Sequence, residues 1–440
     1  MIILNMPYTM DPLESFSKFQ HLKGAIFLDS NPIPDLVWPT GTGRYTFITA
    51  LPEDIFIFRN DNPFSFLKGF LQRQKKNHHP DLPPFQGGLC GFFSYDLYRF
   101  LEDIPKTHAD IDFPDCCLGV YQTVLAWDHE LKKCYLMSHN QSQVGDFLQI
   151  LEQNILKQPV NPIERPKIHS DHTKESYVPL IEKVRQYIEE GDVYQINLAR
   201  RWTCQLNYLD KRFDLYQLLR KKNPAPFSTF MNFDPTYILS SSPERFLKVI
   251  DRHVETRPIK GTCRRSMDLA QDLCNQNSLR SSAKDQSENV MIVDLLRNDL
   301  SKVCKSHSVK VPALFDLETY QTVHHLVSTV VGVLDEPYDL IDLLTATFPG
   351  GSITGAPKVR AMEIIRELEG VARGPYCGSA GYISFSGAMD TNILIRTFCI
   401  HQDTLSIHAG GGITYDSSPE MEFDETEAKA EAMLKTVGHT

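Results

Sequence analysis

The run AGGGITYDSSPEMEFDETEAKAEAML, residues 409–434, constrains this chain more than any other stretch. Gly410, Gly411 and Gly412 close a strand-like segment, 405–408, and without Cβ atoms their N–H groups are open to close approach by a ligand. A Ser-Pro turn follows, and then a helix with acids in its first turns. On it Glu422, Glu425 and Lys429 stand at i, i+3 and i+7 and share one face. Two carboxylates and an ammonium beside an open glycine backbone suit a divalent cation that in turn holds an anion. An acidic helix start favoured by the macrodipole, with an ordinary Glu–Lys pair, gives the same pattern. Three glycines are what such a start does not need.

At 440 residues and 42% hydrophobic content, the chain can bury a large core as one big domain or two. A formal net charge of -10 argues against a general nucleic-acid binder but says little about small anionic ligands. No apolar run approaches the roughly 20 residues that span a bilayer, and the start MIILNMPYTMDPLESF lacks a basic signal-peptide region. Ten cysteines without a CxxC pair suit a reducing compartment. The expectation is a cytoplasmic, globular enzyme with no membrane and no nucleic-acid partner.

In chain order, strands are expected at 24–30, 45–51, 117–127 and 133–138, with a helix at 147–156. The stretch 84–102 reads as a curved core strand leading into a helix. Residues 157–172 hold three prolines and no periodicity. They divide an N-terminal span, 1–160, from a C-terminal span, 170–440. A helix at 177–190 stops at Gly191, and a strand at 193–201 carries Gln195. Glu244 follows a strand and a proline turn. Lys260 stands between Pro258 and Gly261 at the end of a strand over 254–262; read alone, that segment equally suits a solvated strand-end lysine. The helix 284–300 sets Asp285 and Glu288 at i, i+3. Two acidic pairs on two helices fit Mg²⁺, which prefers oxygen ligands and often joins carboxylates to an anionic substrate. His324 and His325 lie in a strand. The loop 348–357 resembles a phosphate loop only superficially, because Ala356-Pro357 stand where Lys-Ser/Thr is required. Residues 373–385 and 389–398 form an antiparallel pair aiming Tyr376 and Arg396 inward, and a buried guanidinium there needs a partner such as a carboxylate.

The segments SSSPERFL, RPIKGT, ENVMIVDLLRNDL, HHLVS, FPGGSITGAPK, GPYCGSAGY, NILIRTF and the glycine–acid run together resemble the chorismate-utilising enzymes, the family of anthranilate, isochorismate and aminodeoxychorismate synthases. The match covers roughly residues 170 to 434 in the family's order, and GGLCGFFSYDLYRFLE extends it toward the N-terminus. The resemblance implies an α/β (α+β) fold of the anthranilate-synthase type: two large antiparallel sheets packed face to face, helices outside, the active site in a cleft between them. Members that use water as nucleophile carry a lysine where this chain has Gln195. Anthranilate-forming members carry alanine where it has Lys260, and PIKGT is the form of the aminodeoxychorismate-forming branch.

The implied reaction is the Mg²⁺-dependent conversion of chorismate and ammonia to 4-amino-4-deoxychorismate, on the way to 4-aminobenzoate and folate; anthranilate formation is the alternative. In the roles so implied, Glu288 and Glu425, supported by Asp285 and Glu422, hold Mg²⁺, and Lys429 steadies their carboxylates. Arg396, Tyr376, Gly411 and Gly412 hold the enolpyruvyl carboxylate, Thr262 bonds a substrate oxygen, and His325 matches a histidine of the anthranilate-forming members. Glu244 is the proton donor and Lys260 the nucleophile, which requires an uncharged amine. No cysteine sits in a G-x-C-x-G setting, so ammonia is expected from a glutamine amidotransferase subunit. Ser30, in FLDS, matches a position that in relatives helps bind tryptophan.

Overall fold

The computed structural model describes residues 1–31, 38–39, 41–153, 166–206 and 211–438. Two antiparallel sheets dominate it, with twelve and ten strands among the described residues. The larger sheet runs Ile2–Met6, Lys133–Ser138, Thr123–Asp128, Tyr45–Thr49, Ile26–Asp29, Phe227–Phe233, Thr236–Ser242, Thr397–His401, Thr404–Ile413, Gln195–Gln205 and Gly355–Ala356, with His169–Ser170 beside Gln195–Gln205. The smaller runs Ile259–Arg264, Val323–Val333, His253–Thr256, Arg245–Ile250, Met389–Ile393, Ser379–Ser384, Gly88–Phe93, Cys116–Tyr121 and Asp54–Phe58, with Lys310–Thr319 beside Val323–Val333. Each sheet therefore takes strands from both the 1–160 and the 170–440 span. Residues 154–165 of the expected connector lie outside the described residues.

The sheets face each other across an apolar layer that includes Phe47, Met137 and Ile238 from one and Phe92, Tyr121 and Tyr382 from the other. Helices cover the outer faces. Phe147, Tyr216 and Met433 pack on the larger sheet, and Ile292, Leu296 and Leu343 on the smaller. A strand buried on both faces reads as a continuous apolar run rather than an alternation, as CLGVY and TVLAWD do. None of the described helices is long and apolar enough to cross a membrane.

Four expected elements are corrected. The run 117–127 is two strands broken at Gln122, Cys116–Tyr121 in the smaller sheet and Thr123–Asp128 in the larger. The run 254–262 breaks at Arg257–Pro258, so Lys260 opens the strand Ile259–Arg264 instead of closing one. Met389–Ile393 ends before Arg396, which sits at φ +53° in the crossing to Thr397–His401 of the other sheet. The third helix spans Gln141–Leu151, capped by Asn140, whose side chain accepts from the Ser142 N–H; the end expected at 156 falls among undescribed residues.

Candidate active site

The glycine strand Thr404–Ile413 lies in the larger sheet, paired with Gln195–Gln205 so that Leu198 faces Gly411 and Asn197 faces Gly412. The helix Pro419–Thr436 follows, with Ser418 at its N-cap, proline at its start, and Glu420 and Glu422 in its first turn, which complements the positive helix end. The second acidic helix, Ala283–Ser301, is capped by Ser282, whose hydroxyl accepts from the Asp285 N–H. Glu422 and Glu425 of the one helix and Glu288 of the other meet at the glycines. A Cβ on Gly411 would fall 3.0 Å from Glu422 Oε2 and 3.8 Å from Glu425 Oε1. One on Gly412 would fall 2.0 Å from Gln195 Nε2 and 3.4 Å from Glu288 Oε2. Only glycine leaves this space open.

Glu288, Glu422 and Glu425 each have a partner of opposite charge or a donor. Glu422 is buried and accepts from the Ser417 hydroxyl at 2.6 Å and from Lys284 Nζ at 3.4 Å. Glu425 meets Lys429 Nζ at 2.5 Å; burial raises its pKa, but the ammonium outweighs burial and the carboxyl is lowered. Lys429 also donates to the Gly410 carbonyl at 2.9 Å. Glu288 accepts from Gln195 Nε2 at 3.2 Å, and burial holds its pKa above the usual range despite Lys260 and Lys284. Asp285 packs under Gly261, whose φ of +80° and missing Cβ, 3.0 Å from the Asp285 side chain, let the strand bulge toward the helix. Among the described residues, no three acidic, histidine or cysteine side chains stand close enough to share one metal ion.

Lys260 leaves that bulge and donates to the Ser352 carbonyl at 3.1 Å. Desolvation lowers its pKa, against the pull of Glu288 and Glu244, and Lys429 adds to the lowering. Glu244 is 5% exposed, and burial pushes its carboxyl up to about 7; the Ser352 hydroxyl and the Lys260 ammonium restrain the rise. Ser352 thus touches both groups, its hydroxyl on the acid and its carbonyl on the amine. The sequence reading passed over it because the glycine-rich loop around it was weighed only as an anion site. Arg373 fixes that loop by donating to the Ile353 carbonyl at 3.0 Å, while its other nitrogens hold Glu369 and the Asn197 carbonyl.

Thr262 Oγ1, on an exposed residue, lies 2.8 Å from Nδ1 of the buried His325, and burial, with Arg396 adding, lowers the imidazole pKa to about 3, so His325 is neutral. Arg396 donates to the Lys429 carbonyl at 2.6 Å, a backbone oxygen where a carboxylate was expected, and is electrostatically coupled to Tyr376 and Glu425. Tyr376 is buried and stacks on His408 with ring centres 4.7 Å apart and planes 8° from parallel. Ser30 belongs elsewhere. With Asp29, Arg44, Tyr45, Tyr382 and Asp390 it lines a cavity of about 360 Å³ between the sheets. There its hydroxyl is bonded to Thr46 Oγ1 at 2.8 Å, and Thr46 in turn to His129 Nε2 at 2.8 Å.

This chain belongs to the chorismate binding enzymes, whose family profile matches residues 26–435. It is 44% identical over 382 residues to aminodeoxychorismate synthase component 1 of Escherichia coli (strain K12), covering 85% of this chain and 82% of that protein. The same enzyme of Salmonella typhimurium is 39% identical over 450 residues, covering 98% and 97%. The fold matches the crystal structure of anthranilate synthase component I from Streptococcus pneumoniae TIGR4 with a TM-score of 0.80 at 30% identity, covering 92% and 95%.

Proposed function

We propose that this chain aminates chorismate at C4, converting chorismate and ammonia to 4-amino-4-deoxychorismate and water. The observation that carries the reading is Lys260: a desolvated amine with a lowered pKa, at the position where anthranilate-forming relatives have alanine, beside a carboxyl that titrates near 7. Glu244, protonated, gives its proton to the departing C4 hydroxyl while the Lys260 amine adds at C2 and both ring double bonds shift, C1=C2 to C1=C6 and C5=C6 to C4=C5. Ammonia then adds at C4, both double bonds shift back, the C2–N bond to the lysine breaks, and Glu244 takes the surplus proton. The enolpyruvyl group stays, and its carboxylate suits Arg396, Tyr376 and the Gly411–Gly412 backbone. Thr262, fixed by neutral His325, is placed for a substrate oxygen. Gln195 cannot act as a base, which disfavours water as nucleophile.

Mg²⁺ fits the acid cluster by donor chemistry, an all-oxygen set around an open glycine backbone, and by the buried Gln195 Oε1 next to Glu288, which has no hydrogen-bond partner among the described residues. Glu288 and Glu425 would hold it with Asp285 and Glu422 in support, and when bound it supplies positive charge against the ring carboxylate. Ammonia comes in this reading from a glutamine amidotransferase subunit, and the setting is the cytoplasm. The cavity around Ser30 is assigned to tryptophan. Incubation with chorismate, Mg²⁺ and ammonium at high pH tests the reaction: the 4-amino product is expected, and fluorescent anthranilate would overturn the assignment.

A further inference from the structure

Lys284 has no part in the chemistry just described, yet its surroundings are unusual. It is the second residue of the helix Ala283–Ser301, at the end where the backbone dipole is positive, a place that disfavours a cation. Something else holds it there. Its ammonium lies 3.4 Å from Glu422 Oε1, and Glu422, Glu288 and Glu425 all act on it electrostatically. The two partners differ in freedom: the Lys284 side chain is 45% exposed and that of Glu422 is 5%. The lysine stem can swing into solvent, whereas the carboxylate cannot follow.

We propose that Lys284 is the built-in counter-ion of the acid cluster, neutralising Glu422, Glu288 and Glu425 until a divalent cation takes its place. The inference rests on the metal reading above and deepens it. Like charges gathered in one cleft repel, so an unfilled cluster of carboxylates needs a cation of its own. The arrangement of the acids agrees: Glu422 and Glu425 each point at an ammonium group and, among the described residues, no three acids converge on a common point. Gln195 Oε1 is an independent sign of a ligand there, a buried acceptor beside Glu288 that has no donor among the described residues. Lys429 is less suited to leave, since it is tied both to Glu425 at 2.5 Å and to the Gly410 carbonyl at 2.9 Å. The contact of Lys284 to Glu422 is longer and more exposed. Cation uptake then includes the cost of displacing Lys284, which weakens affinity and keeps the cluster stable without metal.

Calorimetric titration of MgCl₂ into the full chain without chorismate tests this with Lys284→Met and Lys284→Arg, and thermal midpoints are taken with and without Mg²⁺. Lys284→Gln is carried alongside in case the methionine variant does not fold. The neutral variants are expected to bind Mg²⁺ about tenfold more tightly than the parent chain, as loss of a competing charge at this range implies. They should also melt earlier than the parent without Mg²⁺ and gain more from its addition. Lys284→Arg keeps the charge and should bind like the parent. Unchanged or weaker Mg²⁺ binding by the neutral variants overturns the counter-ion role while leaving the metal site standing. Absence of Mg²⁺ binding by parent and variants alike overturns both.

Discussion

The cavity around Ser30 and the cleft around Lys260 both lie between the two sheets, and both are rich in charge, but they treat it oppositely. In the cavity the ions are matched. Asp29 meets Arg220 at 2.5 Å, Tyr216 at 2.9 Å and the Asn31 N–H at 2.7 Å. Arg44 holds Asp128 at 2.8 Å, and Arg245 holds Asp390 and Glu255 at 3.0 Å each. In the cleft the groups are pushed away from their ordinary states: Lys260 toward the free amine, Glu244 toward the acid, Glu288 upward, with Gln195 Oε1 left unbonded. Matched charge holds this fold together. Perturbed charge marks where it does chemistry.

Substitutions at three positions can break that contrast. Glu244→Gln should lower kcat by about 10²–10⁴-fold, the usual share of a general acid–base group, with the thermal midpoint unchanged or raised because a buried ionisable group is gone. A loss of stability that matches the loss of rate would place Glu244 with the structural charges instead. On the cavity side, Arg220→Met strands Asp29, whose side chain is fully buried, and should cost about 3–5 kcal/mol in urea unfolding while the folded fraction keeps its kcat. The smallest effect sharpens the comparison. Glu244 must be protonated to act as acid, so kcat/KM for chorismate should fall as pH rises through about 7. The Ser352 hydroxyl bonds the carboxylate form and lowers that pKa, so Ser352→Ala should move the falling limb to higher pH and Ser352→Thr should restore it. A limb that stays in place assigns the titration to another group.

The segments that meet around the glycine strand were legible in the sequence and the strand boundaries were not, for one reason. Glu288, Glu422, Glu425 and Lys260 sit in short segments whose glycines and helix spacings survive as local pattern. The crossings between sheets leave no such mark. In CLGVYQTVLAW both flanking strands are buried on both faces, so apolar residues run through the break, and only Gln122, whose side chain reaches Glu53 at 2.8 Å, interrupts them. Arg396 was read inside a strand because a left-handed residue between two apolar runs looks like part of either. Ser352 and Lys284 act through contacts with residues distant in sequence, Glu244, Lys260 and Glu422, and no spacing announces those.

The central claim is that the Lys260 amine is a nucleophile, and product formation by Lys260→Ala with chorismate, Mg²⁺ and free ammonia tests it most directly. Supplying ammonia directly leaves only the chemistry of this chain in play. The expected result is a loss of 4-amino-4-deoxychorismate on the order of 10⁴-fold or more, the scale seen when a covalent nucleophile is removed, in a variant that remains folded. Product at the parent rate would contradict a covalent route through Lys260.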